Sequence, residues 1–209
     1  MARRATPEVN AGSMADIAFL LLIFFLVTTT IDKDKGIARQ LPPKQDENIE
    51  PPLLKEKNTF IVNVNQNDQL LVEEELMELK NLKDAAIAFL DNGGAPSGSP
   101  EYCSYCKGAS DPRSSDNPNK AVISVQNDRL TSYQMYIAVQ NELVGACNEL
   151  RNREGKRLYG PNFVYTDVKN AINEGKYQGD VEAAEERLKR IQELFPLKLS
   201  EAEPKKRGE

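Results

Sequence analysis

The sequence predicts an α+β protein in which one N-terminal transmembrane helix and a flexible tether precede a two-layer α/β domain with added C-terminal helices. Three observations support this order. An apolar run lies near the start, a charged and proline-bearing stretch follows it, and the remainder alternates strand-like and helix-like periodicity. The 209 residues are enough for one domain with appendages.

The apolar run extends over residues 14–31 and contains one charged residue, Asp16. As a helix it would rise roughly 27 Å, close to the thickness of the hydrocarbon core of a bilayer. Most of the run is apolar on every face, whereas a surface helix of a globular domain carries a polar stripe. A signal peptide is the main alternative, since Arg3 and Arg4 precede the run, but a small-x-small cleavage site does not follow it. We therefore predict a tail at 1–13 followed by an uncleaved membrane anchor.

The flanking charges do not define the orientation of this anchor. Lys33, Lys35, Arg39 and Lys44 follow the run, whereas two arginines precede it, which opposes the positive-inside tendency. A long downstream domain is nevertheless often translocated regardless of such charges. Charge counting therefore leaves the topology open.

A linker and a folded domain are predicted after the anchor. Residues 32–58 are charged and contain four prolines, whose fixed φ angles favour a stiff and extended linker. The domain is predicted at 59–200, followed by a charged tail at 201–209. Residues 93–119 are rich in Gly, Pro, Ser and Asp, which predicts a long surface loop inserted within the domain.

Periodicity predicts alternating strands and helices within the domain. Alternation or short apolar runs predict strands at 60–64, 70–72, 121–125 and 197–200. Apolar residues recurring at three and four predict helices at 76–89, 133–147, 163–173 and 180–195. The acidic residues Glu73, Glu74 and Glu75 are interpreted as the solvated start of the first helix, where the helix dipole favours negative charge.

The composition excludes several functions. The chain contains no histidine, which removes Ser-His-Asp triads, Cys-His dyads, HExxH zinc sites and imidazole proton relays. The formal charge of −5 is small, and basic residues are not concentrated on one predicted element. Nucleic acid is therefore not an expected partner.

The three cysteines allow only local chemistry. Cys103 and Cys106 could close a short bridge in an oxidising compartment or remain as two free thiols. A thiol oxidoreductase is disfavoured because this pair lies in a predicted loop, and not at a helix start after a strand. A zinc site using Cys147 as well would lack an assigned fourth ligand.

Asp16 is the candidate functional residue of the anchor. A carboxylate at the centre of a membrane helix costs about 2.5–3.5 kcal/mol, and less near an interface, so its presence indicates a function. The alternative is that Asp16, two residues into the run, caps the helix start or reaches water at the headgroups.

Residues 9–27, which read Val-Asn-Ala-Gly-Ser-Met-Ala-Asp and then Ile-Ala-Phe-Leu-Leu-Leu-Ile-Phe-Phe-Leu-Val, resemble the membrane segment of the ExbD and TolR family. In that family an Asn stands six residues before the membrane Asp, as Asn10 stands before Asp16. The resemblance also covers the Arg-Gln-Leu-Pro stretch at 39–42 and, in pattern, the elements on both sides of the inserted loop. Three features depart from the family: Gly-Ser in place of Thr-Pro after Ala11, the inserted loop, and the added helices.

This resemblance implies an ExbD-like subunit of an inner-membrane motor driven by the proton motive force. Asp16 would accept and release protons, the coupling ion, and Asn10 would face a partner near the proton site. The implied partners are a pentameric ExbB- or TolQ-like membrane protein, a TonB- or TolA-like energy transducer, the lipid bilayer, and a second copy of this chain in a homodimer. No enzymatic activity, metal or other cofactor is implied.

The resemblance also implies the location of each part of the chain. It describes a single-pass protein of the bacterial inner membrane with a cytoplasmic N-terminus and a periplasmic C-terminal domain. A disulfide between Cys103 and Cys106 suits that compartment. Two alternatives stay open: a TolR-like subunit of the envelope-maintaining Tol-Pal system, and a membrane-anchored periplasmic binding module in which Asp16 is only a cap.

Overall fold

The computed structural model describes residues 11–28 and 55–202, which belong to two separate units. The first unit, Met1–Arg39, contains one described element, helix α1 (Ala11–Thr28). The second unit, Gln40–Glu209, contains a five-stranded sheet and, among its described residues, four α-helices. The predicted mixed α+β class is therefore confirmed.

The second unit follows the predicted alternation of strands and helices. Its strands are β1 (Thr59–Val64), β2 (Leu70–Val72), β3 (Glu75–Met77), β4 (Val122–Asn127) and β5 (Leu199–Ala202). Its helices are α2 (Leu79–Leu90), α3 (Tyr133–Tyr159), α4 (Tyr165–Asn173) and α5 (Val181–Leu194). The strand order is β3-β2-β1-β4-β5, with β4 parallel to both of its neighbours and β2 antiparallel to both of its own.

One face of the sheet is covered and the other is open. Phe60, Val62 and Val64 are at most 3% exposed, and they belong to the core cluster that includes Leu82 of α2 and Leu143 of α3. Successive side chains of a strand point to opposite faces, so Ile61, which is 45% exposed, lies on the open face. Burying each of these core side chains contributes about 1.5–3 kcal/mol, which fixes the pairing register.

The predicted helix start at Glu73 to Leu76 is wrong, because these residues form a β-hairpin. Glu73 and Glu74 have φ values of 49° and 69° and connect β2 to β3 as a two-residue turn. Glu73 closes this turn on β1: its backbone N–H donates to the Ile61 carbonyl at 3.0 Å, and its Oε1 accepts from the Ile61 N–H at 2.6 Å. Leu76 therefore lies on the edge strand and is 74% exposed.

The C-terminal helices form a second, smaller core. α3 runs 27 residues, well past the predicted end at 147, and its second half packs against α4 and α5. The buried residues of this second core are Phe163, Tyr165, Leu188 and Ile191. The predicted N-cap of α5 is present, since the Asp180 side chain accepts from the Ala183 N–H at 3.1 Å.

The inserted segment between α2 and β4 is organised around one buried amide. Asn92 is 3% exposed, and its Nδ2 donates to the carbonyls of Asp111 and Ser115 at 2.9 and 2.8 Å. Its Oδ1 accepts from the Asp111 N–H at 3.0 Å. One side chain thus connects the end of α2 to two distant points of the segment, which is stabilised without regular secondary structure.

Candidate functional site

Asp16 lies in the second turn of α1, since the helix begins at Ala11. The first turn of α1 contains no acidic residue. Asp16 is therefore not the N-cap, because a capping side chain must precede the first free N–H groups of the helix. Asn10, the other residue predicted near the proton site, lies outside the described residues.

Asp16 shares its helix face with apolar side chains on its C-terminal side. Residues three and four positions away share a helix face, which places Phe19 and Leu20 after Asp16 and Ser13 and Gly12 before it. Phe19 and Leu20 are 62% and 58% exposed, so the described chain does not cover them. A glycine on this face lets a neighbouring helix approach closely.

Apolar side chains on two faces of α1 are equally uncovered. Leu22 and Phe25 share one face and Phe24 lies on another, and each of the three is at least 60% exposed. Across residues 11–28 and 55–202, the structure contains no helix with the combined length and apolar character that a membrane crossing requires. The predicted span at 14–31 extends past Thr28, and its last three residues lie outside the described part of the chain.

The chemistry available at this site is the binding of one proton. A carboxylate among apolar side chains can hold or release a proton, whereas one helix with one acid cannot enclose a path for it. Other helices would have to supply the second wall and the groups that exchange the proton. A proton path at Asp16 would therefore require groups from outside a single chain.

Cys103 and Cys106 are joined by a disulfide in the inserted segment, with their Cα atoms 5.6 Å apart. Cys103 is 6% exposed, and its sulfur accepts from the Cys106 N–H at 3.1 Å. The bridge lies in a loop against Gly93, and not at the start of a helix that would stabilise a thiolate. It closes a short turn that contains Ser104 and Tyr105.

Cys147, in contrast to this pair, is a free and buried thiol. It is 1% exposed in α3, its thiol contacts the Phe195 carbonyl at 3.5 Å, and burial raises its pKa. A buried thiol with a raised pKa is a poor nucleophile. Within the described residues no group of three His, Cys, Asp or Glu side chains is arranged to bind a metal ion.

A network of four charges, in which the two acids are buried and the two arginines are partly exposed, lies where α2 ends against α3. Arg153 donates to both oxygens of Asp91 at 2.5 and 2.7 Å, and Arg157 donates to Glu154 at 2.6 Å. Glu154 is fully buried, and hydrogen bonding to Asp91 raises the pKa of Arg153. Each acid has a basic partner, so this network has a structural role and no free group for proton exchange.

A groove of about 320 Å³ lies on the open face of the sheet. Its lining is rich in carboxamides and includes Asn63, Asn65, Gln69, Leu71, Leu76, Gln126, Asn127 and Asp128. Several of these groups already stabilise the turn between β1 and β2, since Asn65 Oδ1 accepts from the N–H groups of Asn67 and Gln69. The lining offers no nucleophile with an adjacent base, which argues against catalysis in this groove.

Sequence reasoning missed the cluster around Asp116, as it missed the charge network at the end of α2. Asp116 of the inserted segment is 2% exposed and binds Lys57, Asn58 and Lys55, which directly precede β1. The alternation of Lys55 and Lys57 before a strand is a weak signal for a shared partner. The partner itself is about sixty residues away in the sequence and carries no signal of its own.

The two units define a class of protein: an apolar helix with one acid, joined to a separate α+β domain without an evident catalytic centre among its described residues. The family model described as Biopolymer transport protein ExbD/TolR matches residues 2–151. This chain belongs to the ExbD/TolR family, a family of non-enzymatic subunits that energise biopolymer transport. No curated protein shows a significant match to the chain.

The family match ends within α3. It includes α1, the linker, the sheet from β1 to β4 and the whole inserted segment. The last part of α3 and all of α4, α5 and β5 lie beyond it. The added C-terminal helices are thus a feature of this chain that the family match does not cover.

Proposed function

We propose that this chain is an ExbD-like subunit of an inner-membrane motor driven by the proton motive force, and that Asp16 takes up and releases the proton. The observation that carries the proposal is the single acid in the second turn of an otherwise uncharged and largely apolar helix, in a chain that belongs to the ExbD/TolR family. No function of the helix start requires an acid at this position, which favours a role in proton transfer.

The proposal assigns α1 to a single membrane span with the N-terminus in the cytoplasm and the second unit in the periplasm. The exposed apolar surface of α1 supports this assignment, because lipid and partner helices would cover it. A disulfide in the second unit is also in keeping with an oxidising compartment.

The partners follow from the incomplete site. An ExbB- or TolQ-like pentamer would supply the wall that faces Asp16, and a second copy of this chain would share its interior. A TonB- or TolA-like protein would receive the motion and carry it to the outer membrane. Whether the duty is ExbD-like or TolR-like depends on this last partner, and a TolR-like subunit remains the alternative.

The direct test replaces Asp16 in cells whose transport depends on this chain. Asp16→Asn keeps the size of the side chain and removes its ability to release a proton, so energised transport should be lost. Asp16→Glu keeps the acid and should retain part of the activity. Asp84→Asn, at an exposed position of α2, is the matched control and should behave as wild type.

Assembly must be measured beside activity. The Asp16→Asn chain should insert into membranes and copurify with its membrane partner as the wild type does, because the change removes a charge from an apolar helix. Full transport by an assembled Asp16→Asn chain would refute the proton role.

A membrane-anchored binding module is the second candidate, and the groove on the open sheet face is the observation that favours it. In that case α1 serves only as a tether, so replacing residues 11–28 with an unrelated apolar helix should preserve function. The motor proposal requires the opposite result, since the replacement removes Asp16 and the helix face around it.

A further inference from the structure

The last residues before β1 are held by the inserted segment. Lys57 Nζ lies 2.5 Å from Asp116 Oδ1 and also donates to the Pro112 carbonyl at 3.1 Å. Asn58 Nδ2 donates to Asp116 Oδ2 at 3.3 Å, and Asn58 Oδ1 accepts from the Asp116 N–H at 2.8 Å. Asp116 and Asn58 therefore bind each other through two reciprocal hydrogen bonds.

A second lysine completes this cluster. Lys55 Nζ lies 3.0 Å from Glu101 Oε2 and 3.4 Å from Asp116 Oδ2, so one ammonium group connects two acids of the inserted segment. Lys55 and Glu101 are partly exposed, whereas the Asp116 side chain is 2% exposed. Both contacts of Lys55 are screened by water at the lysine end and add little, so the contact that matters most is that between Lys57 and the buried Asp116.

The electrostatics of Asp116 favour its charged form. Burial by itself raises the pKa of this carboxyl, but the hydrogen bonds from Lys57 and Asn58 and the charge of Lys57 outweigh that effect. The net pKa lies below the ordinary value. An ionised Asp116 in contact with Lys57 is consequently the form present at neutral pH.

The other side of the cluster is tied to the body of the domain. The inserted segment is joined to the end of α2 through Asn92, and Tyr105 donates to the Leu194 carbonyl at 2.8 Å. The ring of Tyr105 also packs edge-on against Phe195, with centroids 5.4 Å apart. Through Asp116, the residues that precede β1 are therefore connected to α2 and to the end of α5.

The cluster lies where a force on the linker would reach the folded domain. β1 is the central strand of the sheet, and its first residue, Thr59, pairs with Val122. A force applied to the chain before Thr59 would act on the backbone hydrogen bonds of β1 one after another. A contact that lies before the strand would bear this force in their place. Lys55, Lys57 and Asn58 make such a contact.

We propose that Asp116 is a positioning residue that fixes the end of the linker to the folded domain, so that displacement of the linker moves the domain as one body. This role rests on the proposed motor function, because only a chain that transmits motion needs such a fixed point. In this view the inserted segment is a clamp that connects the linker to the ends of α2 and α5.

The test uses limited trypsin digestion of the full chain in its purified membrane complex. Trypsin cleaves after Lys55 and Lys57, and a clamped lysine is protected. Asp116→Asn should raise the rate of cleavage at these two sites at least about tenfold, which corresponds to about 1.4 kcal/mol of lost local stability. Cleavage at the buried Arg151 should not change, because it reports opening of the whole domain.

Asp111→Asn is the matched control. Asp111 lies in the same inserted segment, but its carboxylate contacts the exposed Arg113 and no residue before β1. This change should leave cleavage at Lys55 and Lys57 within about twofold of wild type. Equal protection of these sites in the Asp116→Asn and wild-type chains would overturn the clamp.

A second variant covers the case in which Asp116→Asn opens the whole domain. Lys57→Gln leaves the buried carboxylate with Asn58 and Lys55, and it should speed hydrogen exchange of the amides at 58–60 without affecting α3. The double variant should be less perturbed than the sum of the two single variants, because both changes break the contact between Lys57 and Asp116. Additive effects of the two changes, or unchanged exchange in Lys57→Gln, would contradict a shared clamp.

The positioning role has its own readout. Asp116→Asn should lower energised transport while proton flux through the complex, which depends on Asp16, stays at the wild-type level. Unchanged transport in a chain with an open clamp would overturn the positioning role. The digestion result decides the clamp even if the proton role of Asp16 proves wrong, so the two failures are distinguishable.

Discussion

Replacing Arg153 by Met should cost the domain about 3 kcal/mol of unfolding free energy. The change removes two hydrogen bonds to Asp91, whose side chain is 7% exposed, and leaves that carboxylate buried without a basic partner. Breaking a buried ion pair costs about 3–5 kcal/mol. We expect the lower end because the Arg153 side chain keeps 27% of its surface exposed, so that water partly screens its pair with Asp91, and Met replaces its apolar stem.

Urea unfolding of the full chain, followed by far-UV circular dichroism, measures this loss. With a slope of about 2 kcal/mol per molar urea, the midpoint should fall by roughly 1.5 M. Arg113→Met is the matched control, since Arg113 is 89% exposed and pairs with Asp111 at the surface. Its midpoint should not move measurably. Equal shifts in the two variants would refute the assignment of a stabilising role to the buried network.

Three further predictions follow from the described residues. Burial and the nearby acids raise the pKa of Tyr105 to about 12, so spectrophotometric titration should show a tyrosine that ionises late, and Tyr105→Phe should abolish it. Folded-state stability should then fall as the pH rises above the ordinary value of about 10 towards 12, because only the unfolded chain ionises there. Replacing Cys103 and Cys106 by Ala should cost at most about 2 kcal/mol, since the bridge closes a very short loop, and thermal unfolding with and without reductant measures this. The native oxidised protein should not react with a thiol reagent until it unfolds, because Cys147 is buried; rapid labelling before unfolding would contradict this.

Local patterns predicted the elements whose stability is local. Phe60, Val62 and Val64 alternate with polar residues, and they form the buried face of β1 as expected. The Asp180 cap of α5 was equally readable, because a capping side chain and its N–H partner are three residues apart. In both cases the residues that decide the structure are neighbours in the sequence.

Features that depend on residues far apart in the sequence could not be predicted from such local patterns. The turn at Glu73 exists because Ile61 of another strand holds it, whereas isolated glutamates favour a helix start. The parallel pairing of β1 with β4 bridges the whole inserted segment, and Lys57 meets Asp116 across it. For α1, the pattern identified the acid in an apolar helix, but the sequence of one chain cannot show which groups would face Asp16.

The most direct test of the central claim measures proton movement through the complex. Vesicles that contain this chain with its copurified membrane partner would be given a membrane potential, and their internal pH followed. We expect proton flux with the wild-type chain, reduced flux with Asp16→Glu and none with Asp16→Asn, at equal amounts of assembled complex. Flux at the wild-type rate through the Asp16→Asn complex would contradict the account and leave α1 as an anchor only.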